Sequence, residues 1–284
     1  MTNVQDQTSG VLRRSGRFFG AQNDLPNRVK THLFILCPNN SGSTYLERVI
    51  AECEQVWSLQ REGQHIFGFS GPTSRKTNTS LAWNAKPETA ELFSDAANYP
   101  SWESTKKAWY FQATAKSPNA VVFLTKSPPF LLIPQILQDN FDNTKFIFMV
   151  RNPYAVAEGI GRRRPEMAPD RQSCLKLAAD HIVACMKSQR DNIRRYPDNS
   201  IFFRYEDMCQ SPEETADNIR TLIPELSDLA FDDIITVKNY RQHLHNFNDE
   251  QIARLSDSDI ACLNQTFQRE KSVFEHFGYE IIAS

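Results

Sequence analysis

Four short apolar runs stand out along the chain: Leu33 to Cys37, Val121 to Thr125, Phe146 to Val150 and Ile201 to Arg204. Each is rich in β-branched or aromatic residues and lacks strict alternation with polar positions. A strand with one wet face alternates, whereas one covered on both faces does not, so these runs predict buried strands of a parallel sheet. Parallel neighbours need crossover helices, and the segments around the runs supply them. Tyr45, Leu46, Val49, Ile50 and Cys53 mark one face of a first helix. Leu175, Ala178, Ile182, Cys185 and Met186 stripe another that ends before Tyr196. Ser211, Pro212 and Glu214 read as a helix start, with serine as cap, proline in the first turn and glutamate completing a capping box. Ile260, Leu263, Phe267, Phe274 and Phe277 trace a last helix, closed by Gly278. The predicted fold class is α/β.

Two stretches depart from this alternation. Residues 1–29 have few periodic apolar positions and read as a flexible N-terminal arm, leaving 30–284 as a single domain. Between 56 and 120, Pro, Ser, Thr and Asn break the pattern while Trp83, Tyr99, Trp102, Trp109, Tyr110 and Phe111 cluster unevenly. This predicts an elaboration on one sheet edge, and its part from 63 to 120 is the expected acceptor side of a binding site.

Composition narrows the function. Across 284 residues, 32 basic and 34 acidic side chains leave a formal charge of -2, which gives no global case for nucleic acid or an anionic membrane. An anion site must therefore be local. The six cysteines form no Cys-x-x-Cys pair and read as free thiols of a reducing compartment. No leader-like apolar stretch opens the chain and no run approaches the roughly 18 apolar residues of a membrane span; the expected location is cytoplasmic.

Chemistry concentrates where Pro38, Asn39, Asn40, Ser41, Gly42, Ser43 and Thr44 follow the first strand and open the first helix. A glycine turn there aims backbone N–H groups into one concavity, and the helix N-terminus adds positive potential suited to phosphate. An ordinary capped helix start uses the same residue types. A Walker loop needs Gly-x-x-x-x-Gly-Lys-Ser/Thr; Cys37 stands at its first glycine and Ser43 at its lysine.

Ser41, Gly42, Ser43, Thr44 and Tyr45 do resemble the end of the 5′-phosphosulfate loop of sulfotransferases. Arg151, Asn152 and Pro153 after the third run are similar to the Arg-Asp-Pro of that family. Leu124 to Pro128 and Arg204 to Met208 are similar to further segments of its carbohydrate and tyrosylprotein branch. The resemblance implies a three-layer P-loop nucleotide-binding fold with a mainly parallel sheet. It also implies sulfuryl transfer from 3′-phosphoadenosine 5′-phosphosulfate to a hydroxyl of a sugar, lipid, small alcohol or peptide. By the same resemblance, Asn40 to Tyr45, Arg151, Gly159, Arg163 and Tyr205 are the nucleotide-binding positions. Asn40 stands where the family carries a basic residue, and Gly159 where it carries a serine for the 3′-phosphate, removing a hydrogen bond worth roughly 1 kcal/mol.

In-line transfer to a hydroxyl needs a base and a cation. Glu62 is the expected base with His65 as the competitor, and Lys126 is the expected cation. The scheme requires no metal, and His243-x-His245 reads as a polar loop. Two other readings stand beside this one: a non-catalytic nucleotide-binding protein of the same fold, and a small-molecule kinase.

Overall fold

The apolar runs lie side by side in the computed structural model, which describes residues 16–22, 24–73, 81–231, 235–237 and 240–283. In chain order the strands are β1 (Phe18–Phe19), β2 (Thr31–Leu36), β3 (Val56–Ser58), β4 (Thr114–Ala115), β5 (Val122–Lys126), β6 (Thr144–Val150) and β7 (Ser200–Arg204). They form one sheet in the order β1-β4-β3-β5-β2-β6-β7. The pairs from β3 through β7 are parallel, while β4 and β1 close one edge antiparallel. A separate antiparallel pair joins β8 (Ile235–Val237) to β9 (Tyr240–Gln242).

Twelve helices accompany the strands among the described residues. The first six are α1 (Leu25–Arg28), α2 (Ser43–Ile50), α3 (Pro87–Ser94), α4 (Trp102–Gln112), α5 (Pro134–Asn140) and α6 (Pro153–Arg163). The others are α7 (Arg171–Arg195), α8 (Tyr205–Gln210), α9 (Pro212–Leu222), α10 (Asn248–Ile252), α11 (Asp257–Phe267) and α12 (Lys271–His276).

Side chains of a strand point alternately to its two faces, and β2 uses both. Leu33 and Ile35 pack with Tyr45, Leu46, Val49 and Ile50 of α2 and with Ala216 and Ile219 of α9. Phe34 and Leu36 pack on the other face with Trp57, Trp109, Phe123, Phe146 and Cys185 of α7. Helices on both faces of a mostly parallel sheet make the three layers. The irregular stretch before residue 120 contributes α3, α4 and β4, and most of its clustered aromatics are core: Trp83 and Trp109 are fully buried, while Phe111 stays exposed. Trp109 stacks on Phe69, Phe123 and Phe141.

Several boundaries differ from the apolar pattern for definable reasons. β2 begins at Thr31 because His32 is buried yet satisfied, its two ring nitrogens lying 2.8 Å from the Asp142 carbonyl and 2.6 Å from the Tyr110 hydroxyl. β3 and β4 are too short to show a periodicity. Ser211 precedes α9, but its hydroxyl accepts no amide, so the expected capping box is not formed. The last helix breaks into α11 and α12, and ends as expected at Gly278 (φ 74°). There Tyr279 N–H reaches the Phe274 carbonyl and Gly278 N–H that of Glu275, a Schellman closure. Of the arm expected over 1–29, residues 1–15 and Asn23 lie outside the described residues. The described remainder is fastened: β1 extends the sheet, Arg17 bonds the Ala51 carbonyl and Glu52, and Leu25 is fully buried.

Candidate active site

In an open α/β sheet the ligand crevice opens at the carboxyl ends of strands whose connections leave in opposite directions. Here β2 is that point, with β5 on one side and β6 on the other. The loop 38–42 leaves β2 into the crevice. Asn40 (φ 63°) and Gly42 (φ 82°) both adopt left-handed backbone, a conformation that asparagine tolerates and glycine takes freely. Gly42 is fixed for a second reason: a Cβ there would lie 2.4 Å from the Tyr205 ring. The Ser41 hydroxyl donates to the Pro38 carbonyl at 2.8 Å and holds the turn.

The backbone N–H groups of Ser41, Gly42, Ser43 and Thr44 meet no acceptor among the described residues. That leaves four donors at the positive end of α2, which is an anion-binding nest. Tyr45 is different. Its N–H donates to the Gly42 carbonyl at 2.9 Å, and its side chain turns into the core to stack on Phe231. Tyr45, expected among the nucleotide-binding positions, is thus buried on the core side of α2.

On the β5 side, Lys126 ends its strand nearly buried. Its Nζ lies 2.9 Å from Glu62, 3.8 Å from Glu47 and 3.5 Å from the Thr44 hydroxyl. Burial opposes the charge on Lys126, but the two carboxylates outweigh it and hold its pKa above the ordinary lysine value. Burial pushes Glu62 up, while Lys126 and the Gln64 amide more than reverse this and keep it below the usual carboxylate range. For Glu47, more deeply buried, desolvation prevails and the pKa is raised. The arrangement joins an ionised carboxylate and a charged lysine beside the nest. His65 Nε2 lies 3.7 Å from the second Glu62 oxygen, placing it behind Glu62 relative to Lys126.

On the β6 side, Arg151 is nearly buried. Its guanidinium donates to the Asn40 carbonyl at 3.0 Å, to Asn248 at 2.8 Å and to Gln251 at 2.5 Å, with its plane 4.1 Å from the Tyr205 ring centroid. Arg163, about one turn beyond Gly159 in α6, donates to Asn40 Oδ1 at 2.5 Å. Both arginines therefore converge on the loop. They border a cavity of about 300 Å³ lined by Asn40, Arg151, Arg162, Arg163, Phe247, Gln251 and Arg254. Burial lowers the pKa of Arg151, and partial desolvation together with the neighbouring Arg162 and Arg164 lowers that of Arg163, whose side chain is largely exposed. Positive charge here is under-compensated, as an anion site requires.

Two expected contacts take another form. Tyr205 is buried, donating its hydroxyl to the His245 carbonyl. It backs Arg151 and Gly42 instead of lining the cavity. Gly159 lies beneath side chains, since a Cβ there would come within 3.1 Å of Gln251 and 3.3 Å of Asn40. Glu47, Gln251, Arg254 and Asn248 were missed by sequence reasoning. Glu47 sits beside the apolar stripe of α2 and carried that much signal. The other three come from a C-terminal segment with no motif.

No cluster suited to a metal occurs among the described residues. None of their helices is long and apolar enough to cross a membrane.

Comparisons with known proteins agree with this geometry. Among solved structures, sulfotransferase STF9 from Mycobacterium avium is similar, with a TM-score of 0.56 and 11% identity over 98% of this chain and 83% of that one. The sulfotransferase domain from the curacin biosynthetic pathway gives a TM-score of 0.50 at 16% identity, over 90% of this chain and 100% of that one. That of the Synechococcus PCC 7002 olefin synthase gives 0.50 at 18%, over 85% and 95%. These likenesses support the mixed, mostly parallel P-loop-like fold. No curated protein matches the chain. The model of the sulfotransferase family matches residues 32–224. Since that match spans more than half of the chain and contains the nest, Lys126 and Arg151, the chain belongs to the sulfotransferase family and is a sulfotransferase.

Proposed function

We propose that the donor is 3′-phosphoadenosine 5′-phosphosulfate and that the acceptor is a hydroxyl arriving from the side of residues 63–120. One observation carries this reading: four unpartnered amides sit between Lys126 and a cavity walled by arginines. A nucleotide with a phosphate at each end of its ribose fits that distribution of donors. The amides of Ser41 to Thr44 and the Ser43 and Thr44 hydroxyls would hold the 5′-phosphosulfate. Arg151 and Arg163 would hold the 3′-phosphate, for which their planar forks are suited.

Glu62 accepts the proton of the attacking hydroxyl as the new oxygen–sulfur bond forms. Lys126 and Thr44 stabilise the phosphate oxygen that keeps the electron pair when the old sulfur–oxygen bond breaks. The lysine is already held by two carboxylates, so an arriving anion competes for it and frees Glu62 to act as base. His65 lies beyond Glu62 and supports that carboxylate. The strand-end sequence Lys126, Ser127 and Pro128 favours the carbohydrate and tyrosylprotein branch of the family.

Thermal melting with added nucleotides tests the donor. A ligand at 100 times its Kd stabilises by about 2.7 kcal/mol, so 3′-phosphoadenosine 5′-phosphate is expected to raise Tm clearly. A shift with ATP and magnesium but none with that nucleotide overturns the assignment.

A further inference from the structure

Asn40 and Gly159 both depart from the family pattern, and the fold brings them into contact. The Asn40 side chain leans over Gly159, whose missing Cβ would lie 3.3 Å from Asn40 Cγ and 3.4 Å from Nδ2. Arg163 presents only donors, so it fixes the amide orientation: Oδ1 accepts from Arg163, and Nδ2 faces the other way. That Nδ2 is buried without a hydrogen-bond partner. Buried amide donors in folded proteins are nearly always paired, so an unpaired one at the wall of a cationic cavity marks a site for an acceptor.

The surroundings specify the acceptor as an anion. Asn40 lines the same cavity as Arg151, Arg162, Arg163 and Arg254. Glu158 is held there by Arg162 at 2.7 Å and by Gln251 at 3.0 Å. Arg163 is exposed and crosses the amide through the single bond to Oδ1. An anion that draws its guanidinium away releases Oδ1, and the freed amide can then turn to present Nδ2 to that anion.

Resting on the donor reading above, we infer that Asn40 and Gly159 act as a coupled pair. The loop amide donates to the 3′-phosphate in place of a side chain from position 159, and position 159 is glycine because Asn40 and Gln251 fill the space over it. Asn40 thereby serves the 3′ end of the nucleotide and not the 5′-phosphosulfate, and makes the site selective for a nucleotide carrying a 3′-phosphate.

Calorimetric titration with 3′-phosphoadenosine 5′-phosphate and with adenosine 5′-phosphate tests this. Asn40→Gly tolerates the left-handed backbone and removes only the amide. It is expected to lower the affinity ratio between the two nucleotides about tenfold, the loss of one hydrogen bond to a charged group. Gly159→Ser alone is expected to weaken the 3′-phosphorylated nucleotide through crowding. In the Asn40→Gly background the same serine meets only the Gln251 amide, 3.1 Å from its Cβ, and once that amide gives by a few tenths of an ångström its hydroxyl is expected to restore part of the ratio. An unchanged ratio in Asn40→Gly, or no recovery in the double variant, overturns the pairing while the donor assignment stands. If the unmutated chain binds adenosine 5′-phosphate as tightly as its 3′-phosphorylated form, the donor assignment itself has failed.

Discussion

The two sides of the crevice treat positive charge in opposite ways. At the end of β5, Lys126 is nearly buried between two carboxylates, so its charge is matched before any substrate arrives. At the end of β6, Arg151 is as deeply placed but donates to a carbonyl and two side-chain amides, and its neighbours at the cavity are further arginines. A matched cation is held in place and moves a proton or stabilises charge only when a competing anion enters. An under-compensated one attracts the anion in the first place. The first suits chemistry and the second suits binding, and separate strands let each be set independently.

Removing the matched cation is expected to have the largest effect. Lys126→Met leaves Glu47 and Glu62 without their partner, a change costing about 3–5 kcal/mol of stability for a buried pair. Urea denaturation measures this, and turnover by the folded fraction is expected to fall roughly 10²–10³-fold. If Glu47→Gln in the same background restores stability but not turnover, the two duties of Lys126 are separated.

Glu62→Gln comes next, with kcat lowered by about 10²–10⁴-fold and nucleotide affinity nearly unchanged. Equal losses in both would erase the division between chemistry and binding. The pH profile sharpens the same point. Because Lys126 holds the Glu62 pKa of the free enzyme below its ordinary value of 4.5, the base stays ionised down to that range, and the acid limb of kcat/KM is expected below pH 4.5. A limb in the imidazole range, about 6.5, would assign the base to a histidine.

On the binding side, Arg151→Lys keeps the charge but loses the fork that serves Asn40, Asn248 and Gln251. Affinity for 3′-phosphoadenosine 5′-phosphate, read by titration, is expected to fall about tenfold with kcat at saturating donor unchanged. The smallest effect is that of salt. Raising ionic strength from about 0.05 to 0.2 M screens the exposed arginines, so nucleotide affinity drops several-fold while the buried Lys126–Glu62 step is unaffected. A salt effect on kcat at saturation would show that the matched pair is less enclosed than its geometry indicates.

The sequence by itself determined the sheet and the local anion site. Buried parallel strands demand continuous apolar runs, and a strand–glycine turn–helix unit carries its donors on consecutive residues, so both are written locally. Glu62, Lys126, Arg151 and Arg163 could be proposed from the sequence because each stands at a fixed offset from a strand or helix start, and the fold brings them around one loop. Tertiary structure alone decided which groups complete the site. Glu206 accepts from the Asn152 amide, the Asn248 side chain and the Tyr279 hydroxyl, drawing the C-terminal segment across α6. That closure delivers Asn248 and Gln251 to Arg151 and seats Arg254 at the cavity. Packing of α2 against β5 turns Glu47 from a helix-surface residue into a buried partner of Lys126, and the approach of α6 to the loop sets Asn40 over Gly159. Burial and charge matching depend on what comes from far along the chain, and no local pattern encodes them.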